Sequence, residues 1–597
     1  MSSVAERLKN LRASMKAAGA DWYFMSSDDY HCSEYVADYF KVREHFTGFT
    51  GENAFLLVSD SEAKMWTDGR FFIQAERELA GSGVTLMRMG EAGVPTVTEF
   101  LKDNFKEGGK LFFDGKSVSA SYGRKFEKIV TEKGGSLVFD RDLAGELWED
   151  RPDLPSHKVM VLTDDITGED TPHKLSRIRE KMKEFGASAH FLSSLDDIMW
   201  VTNIRGRDIE CNPVALSYMY ITMDEAFLFL QKSEWTDELK EYLNKVNIRL
   251  FDYFELDGFL KDVAVSGKVL LNEDAVNYYC LKTLESKAAL VSKRNPSTLM
   301  KAIKNETELK RLKEAYILDS VCVTKLGYWL KKNIGKTEIT ELSAAEYIDD
   351  LRRNTEGFVE LSFPTISGYG PNAAMMHYSA TPESYSVCKP EGMLLVDSGG
   401  QYLKGTTDVT RTFALGPVSD EVKLHFSKVA AGMLALADGK FLYGCTGRNL
   451  DILARLPLWE LNIDYKCGTG HGVGYFLNVH EGPCGFRWKY AEGVKEAVLE
   501  EGMIISDEPG VYIEGSHGIR IENVILCKKG VNNGDGQFMG FEHLTFTPID
   551  RDLLDKKYLS EKDIERVNAY HKAVFEKTSK YFEGEELECL KEVTAPI

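Results

Sequence analysis

Residues 5–19, AERLKNLRASMKAAG, set Leu8, Leu11 and Met15 at the three- and four-residue spacing of one buried helical face, and Gly19 supplies a stop. The strand-like run ADWYFMSS follows. The same opening recurs at 174–194, KLSRIREKMKEFGASAHFLSS. At a constant offset of 167, Leu8 aligns with Leu175, Leu11 with Ile178, Met15 with Met182, Gly19 with Gly186 and Phe24 with Phe191. One helix–turn–strand unit therefore occurs twice, and without a short period it is a domain duplication rather than a solenoid. In the first copy FTGFTGENAFLLVS (46–59) and AKMWTDGRFFIQAERELA (63–80) alternate strand with helix. WEDRPDLP (148–155), with two prolines, marks a boundary, and the second copy ends near RNPSTLMKAIKN (294–305).

From Lys304, KNETELKRLKEAYILDSVCVTKLGYWLKK predicts a long amphipathic helix. Further on, the apolar run MLLV (393–396) and the β-branched run VTRTF (409–413) flank a glycine-containing turn and predict a hairpin. Ile519, Ile521 and Val524 in IRIENV predict a further strand. The chain of 597 residues is too long for one core. The pattern divides it at 1–155, 156–303 and 304–597.

Hydrophobic residues make up 43% and charged residues 28%, ordinary values for a soluble globular protein. The net charge of −20 argues against nucleic acid or an anionic membrane as a partner. Ten cysteines are scattered from Cys32 to Cys589 without a CxxC pair, which predicts free thiols in a reducing compartment. The first residues hold no leader-type apolar stretch and no run approaches a membrane span, so the expected location is the cytosol.

Charge changes the picture most between His377 and Glu522. Asp397 ends MLLV and Asp408 heads VTRTF, so the predicted hairpin aims both carboxylates into one space. His471 follows GTG, Glu508 precedes Pro509, and Glu522 lies in IRIENV. A lone Asp or Glu in an acidic chain is ordinarily a solvated charge. Here Asp397, Asp408 and Glu522 sit inside apolar or β-branched runs, where an unpaired charge is costly and a cation resolves the cost. Four carboxylates and one imidazole form a hard, mostly oxygen ligand set suited to Mn²⁺ or a similar divalent ion. Five ligands exceed the need of one ion and fit a pair about 3.5–4 Å apart. GTGHGVG is no phosphate cradle, since no P-loop Lys-Ser/Thr follows it.

These positions resemble the ligand pattern of the pita-bread metallopeptidases, and HGVGYFLNVHEGP (471–483) resembles the aminopeptidase P branch. The resemblance covers nearly the whole chain. It implies a mixed α+β protein with two creatinase-like α/β domains ahead of a pita-bread catalytic domain. It implies two divalent metal ions, most simply Mn²⁺, held by Asp397, Asp408, His471, Glu508 and Glu522, with Asp408 and Glu522 bridging. A water between the cations then attacks as hydroxide, and Glu508 carries its proton to the leaving nitrogen. His377, in GPNAAMMHY, takes the position of the family histidine at the reacting carbonyl, and His480 that of the histidine holding substrate. Arg520, two residues before Glu522, is a candidate to orient a ligand carboxylate. Where many relatives carry a histidine lining the proline pocket, this chain has Cys467. The implied reaction is removal of an N-terminal residue that precedes proline, by a homodimer. A prolidase restricted to dipeptides and a non-catalytic peptide-binding protein are the alternatives.

Overall fold

The computed structural model describes residues 3–489 and 496–597. The chain forms two compact units, Met1–Asp164 with Glu169–Ser297, and Asp165–Gly168 with Thr298–Ile597.

The first unit contains the duplication. The helix Val4–Ala18 buries Leu8, Leu11 and Met15, and the Ser3 side chain accepts from the Glu6 N–H at its start. Thr171–Glu184 likewise buries Leu175, Ile178 and Met182 behind an Asp170 cap. Gly19 and Gly186 both turn the chain with positive φ, 74° and 66°. Each helix leads into the fourth strand of a six-stranded sheet. The first sheet runs Thr85–Arg88, Ala63–Thr67, Ala54–Val58, Trp22–Met25, Lys110–Phe112, Ser136–Val138. The second runs Ile248–Asp252, Ala226–Leu230, Ser217–Thr222, Ala189–Leu192, Lys268–Leu271, Ala289–Ser292. The order is the same, and so is the alternation of parallel and antiparallel pairs.

The second unit opens with the 28-residue helix Glu306–Asn333, started by a reciprocal cap between Asn305 and Glu308. It buries Leu312, Tyr316, Leu326 and Leu330. The predicted hairpin is present: Met393–Ser398 pairs antiparallel with Val409–Ala414, and Ile366–Tyr369 flanks it. A six-stranded sheet runs Phe441–Leu442, Gly536–His543, Asn523–Asn533, Ile504–Asp507, Gly470–Gly472, Glu481–Phe486. One expectation needs correction. IRIENV is not one strand, because His517–Arg520 pairs with Gly510–Ile513 whereas Asn523–Asn533 belongs to the large sheet. Ile521 and Glu522 make the crossing, and Glu522 N–H donates to the Thr410 carbonyl at 3.1 Å instead of continuing a ladder.

Arg411 locks this crossing to one of the chain's later helices. Its buried guanidinium donates to the carbonyls of Glu522, Thr547 and Pro548 and to the Tyr570 hydroxyl in the helix Glu561–Thr578. Every donor on this group meets an acceptor, which is what makes its burial tolerable.

Candidate metal centre

The site is assembled by close backbone contact between elements distant in sequence. Asp397 lies opposite Thr410 in the hairpin, and Asp408 stands just before the returning strand. The turn between them begins at Gly399, where a Cβ would sit 2.0 Å from the Thr407 carbonyl oxygen. His471 lies on Gly470–Gly472, brought against Ile504–Asp507 because Gly470 has no Cβ; one there would lie 1.8 Å from the Ser506 oxygen. The next residue along that neighbouring strand's exit is Glu508, whose N–H donates to Thr469 at 2.8 Å.

Ligand-type atoms of Asp408, His471 and Glu522 all lie within 4.8 Å of one another. His471 Nε2 is 3.4 Å from Asp408 Oδ2 and 3.4 Å from Glu508 Oε1. His471 Nδ1 lies 2.9 Å from the Gly472 carbonyl, which can only accept, so this nitrogen carries the hydrogen and Nε2 faces the carboxylates. Two carboxylate oxygens opposite Nε2 call for positive charge between them, which a proton or a metal cation supplies. Although burial pulls the imidazole down, Asp408 and Glu508 raise it to about 9.

Asp397 completes the group with Arg520. The guanidinium donates to Asp397 Oδ2 at 2.5 Å, to the Tyr512 hydroxyl at 2.8 Å and to Thr410 Oγ1 at 3.1 Å. Thr410 Oγ1 in turn donates to Glu522 Oε2 at 2.7 Å. Burial pushes Asp397, Glu508 and Glu522 above the usual carboxylate range; Arg520 opposes this at Asp397, and His471 and Arg520 at Glu508. The other oxygens of Asp397 and Glu522, Oδ1 and Oε1, are buried without a hydrogen-bond partner. Orphaned carboxylate oxygens beside an imidazole nitrogen are the donor set that divalent cations fit.

Of the remaining predicted residues, His480 touches this cluster directly and His377 is linked to it through its neighbour's backbone. The His480 ring packs edge-on against His471, centroids 4.2 Å apart. His377 follows Met376, whose carbonyl accepts from Arg520 at 3.3 Å. Cys467 and Tyr512 each pack against the edge of the same apolar cluster, and the Cys467 carbonyl accepts from Arg455 at 2.6 Å. The carboxylate that Arg520 bonds directly is Asp397; two residues on, Glu522 has already left the strand of Arg520 at the break. Sequence reading missed Thr410 and Tyr512; VTRTF shows a hydroxyl two residues after Asp408, but only the fold aims it.

Residues 7–138 and 150–308 each match the creatinase/prolidase N-terminal domain. Residues 310–529 match metallopeptidase family M24, and 537–597 match the C-terminal region of the M24 peptidases. The chain is 35% identical to aminopeptidase P2 of Arabidopsis thaliana, over 97% of this chain and 87% of that one. It is 36% identical to a probable Xaa-Pro aminopeptidase P of Botryotinia fuckeliana, over 98% and 91%. Its structure superposes on an X-prolyl aminopeptidase of Caenorhabditis elegans, described as a cytosolic enzyme with a di-nuclear active site. There the TM-score is 0.95 at 33% identity, with 100% of both chains covered. An Xaa-Pro dipeptidase of Bacillus anthracis shares the fold over 64% of this chain, with TM-score 0.51 and 23% identity.

Proposed function

The chain belongs to metallopeptidase family M24, in its aminopeptidase P branch, and on that footing we propose that it hydrolyses the bond between an N-terminal residue and a following proline. The observation that carries the reading is the convergence of buried Asp397, Asp408 and Glu522 with half-buried His471 and Glu508, two of the carboxylate oxygens being orphaned among the described residues. Asp397, Asp408, His471, Glu508 and Glu522 would hold two divalent cations, which we take to be Mn²⁺. Bound there, such ions lower the pKa of water and polarise a carbonyl.

The protein's own groups do the rest. Glu508 takes the proton of the attacking water and delivers it to the prolyl nitrogen, a secondary amine that leaves poorly unless protonated. Ser506 Oγ holds this carboxylate, 3.2 Å from Oε1, while accepting from the His471 N–H at 2.9 Å. His377 donates to the oxygen that gains negative charge. His480, against His471, holds the substrate near the scissile bond. Cys467 contributes to the wall that receives proline. An Xaa-Pro bond has no N–H and a fixed φ, so a shaped pocket turns rigidity into selectivity.

Substrates on this reading are peptides with a penultimate proline, in the cytosol, where ten free cysteines are at home. No described helix is long and apolar enough to cross a membrane. We propose a homodimer, supported by the exposed side chains of Leu456, Trp459 and Trp488, with the two indoles 5.8 Å apart. Light scattering on the protein and on Leu456→Glu tests this; a wild-type monomer refutes it. The function is tested with Xaa-Pro-Xaa and Xaa-Ala-Xaa tripeptides and an Xaa-Pro dipeptide, using metal-stripped protein with and without Mn²⁺. Metal-restored cleavage of the proline tripeptide is expected. Cleavage of the dipeptide alone would make the chain a prolidase.

A further inference from the structure

The segment 369–386 carries His377 out from the strand Ile366–Tyr369 and back to Val387–Cys388. Its neck closes on one buried side chain outside the metal cluster, Glu341, at the first position of the helix Glu341–Arg353. Glu341 Oε1 accepts from the Tyr369 N–H at 2.7 Å and from Asn372 Nδ2 at 3.0 Å. Its Oε2 accepts from the Tyr378 hydroxyl at 2.8 Å and from the Ser386 N–H at 2.6 Å, with Asn372 Nδ2 again at 3.3 Å. The Glu341 N–H closes the ring by donating to the Ser386 carbonyl at 3.1 Å. One carboxylate thus ties both ends of the segment and the residue next to His377.

The opposite side of the segment is fixed by the strand of Arg520. Gly518 lies so close that a Cβ would sit 1.7 Å from the Ala373 carbonyl oxygen, and Arg520 reaches the Met376 carbonyl. His377 is therefore delivered by a short stretch held between Glu341 and the element that orients Asp397.

We propose that Glu341 is a positioning residue for His377. Resting on the aminopeptidase reading above, this assigns Glu341 a part in the rate of turnover although it touches neither substrate nor ligands. The carboxylate is needed as such. The two backbone N–H groups, of Tyr369 and Ser386, approach different oxygens, so a glutamine in either orientation turns its NH₂ toward one of them.

The test compares Glu341→Gln, His377→Ala and the double variant in the full-length, metal-loaded protein on an Xaa-Pro-Xaa tripeptide. A group that misplaces a transition-state donor lowers kcat and spares KM. Glu341→Gln is expected to lower kcat roughly 10- to 100-fold, below the ~10²–10³ of a donor removed outright, with KM within about twofold. The double variant should fall no further than His377→Ala alone. Additive losses, or a loss confined to KM, would overturn the assignment. Hydrogen exchange of the 369–386 amides, read without substrate, decides independently of activity. Exchange should quicken there in Glu341→Gln and stay unchanged elsewhere; unchanged exchange in the segment refutes the proposal. A wild type inert toward the tripeptide refutes the functional reading instead, and leaves the exchange result to decide Glu341.

Discussion

Replacing Thr410 with valine keeps the β-branched shape in the strand and removes one hydroxyl. That hydroxyl donates to Glu522 Oε2 at 2.7 Å and accepts from Arg520 Nε at 3.1 Å, so it links two groups of the proposed ligand shell. Glu522 Oε1 already lacks a partner, so the variant leaves the carboxylate free to rotate away from Asp408 and His471. A hydrogen bond to a charged group contributes about 1.5–3 kcal/mol. At ~1.4 kcal/mol per decade this predicts a 10- to 100-fold weaker Mn²⁺ affinity, the range usual for groups that orient metal ligands. Thr412 provides a matched control on the same strand face. Its hydroxyl donates to the Arg520 carbonyl at 3.0 Å and accepts the Arg520 N–H at 3.2 Å, and none of its described bonds reaches a carboxylate. Calorimetric titration of metal-stripped protein should find Thr410→Val weakened and Thr412→Val within about twofold of wild type, with both lowered in thermal midpoint. Equal affinity losses in the two variants, or none in Thr410→Val, would refute the reasoning.

Other consequences follow from single contacts. Gly470→Ala would force apart the strands bearing His471 and Glu508, since the obstructing atom is backbone; metal-stripped protein should then bind no Mn²⁺ in the same titration. Lys304→Met leaves the buried carboxylate of Glu481 with Lys301 at 3.8 Å, and should cost about 3 kcal/mol, the low end for a broken buried pair, in denaturant unfolding. His571 sets an acid limit. Burial, aided by Arg551 and Arg411, lowers it to about 4, and its Nε2 accepts the Ile549 N–H at 3.2 Å. The unfolded imidazole, near 6.5, takes up a proton first, so stability is full above ~6.5 and falls as pH drops toward about 4, by up to ~1.4 kcal/mol per unit. His571→Gln should flatten that slope in calorimetric scans; an unchanged slope would remove His571 as the cause.

The duplication was legible because its signal is periodic: Leu8, Leu11 and Met15 recur as Leu175, Ile178 and Met182, and the two sheets share strand order. The hairpin of Asp397 and Asp408 was legible because an apolar run and a β-branched run flank a glycine-containing turn. The break at Ile521–Glu522 was not. Its residues favour a strand, and the chain leaves the ladder only because Thr410, 112 positions earlier, takes the Glu522 N–H. Glu341 was invisible on similar grounds. A single acidic residue at a helix start looks like an ordinary favourable charge, and its four donor groups come from 28 to 45 positions away. Properties carried by spacing within about ten residues can be read directly; those set by where distant backbones meet require the fold.

The Arg411 clamp gives the protein a timetable. Tyr570 follows Glu522 by 48 positions and must arrive before the guanidinium that grips the Glu522 carbonyl has its last acceptor. At about 5–20 residues per second, translation reaches Tyr570 roughly 2–10 s after the final proposed ligand. A nascent chain therefore carries every proposed ligand while the clamp that steadies one of them is unfinished. Peptide cleavage should wait for Tyr570, and released chains truncated before residue 560 should be inactive where the 597-residue chain cleaves.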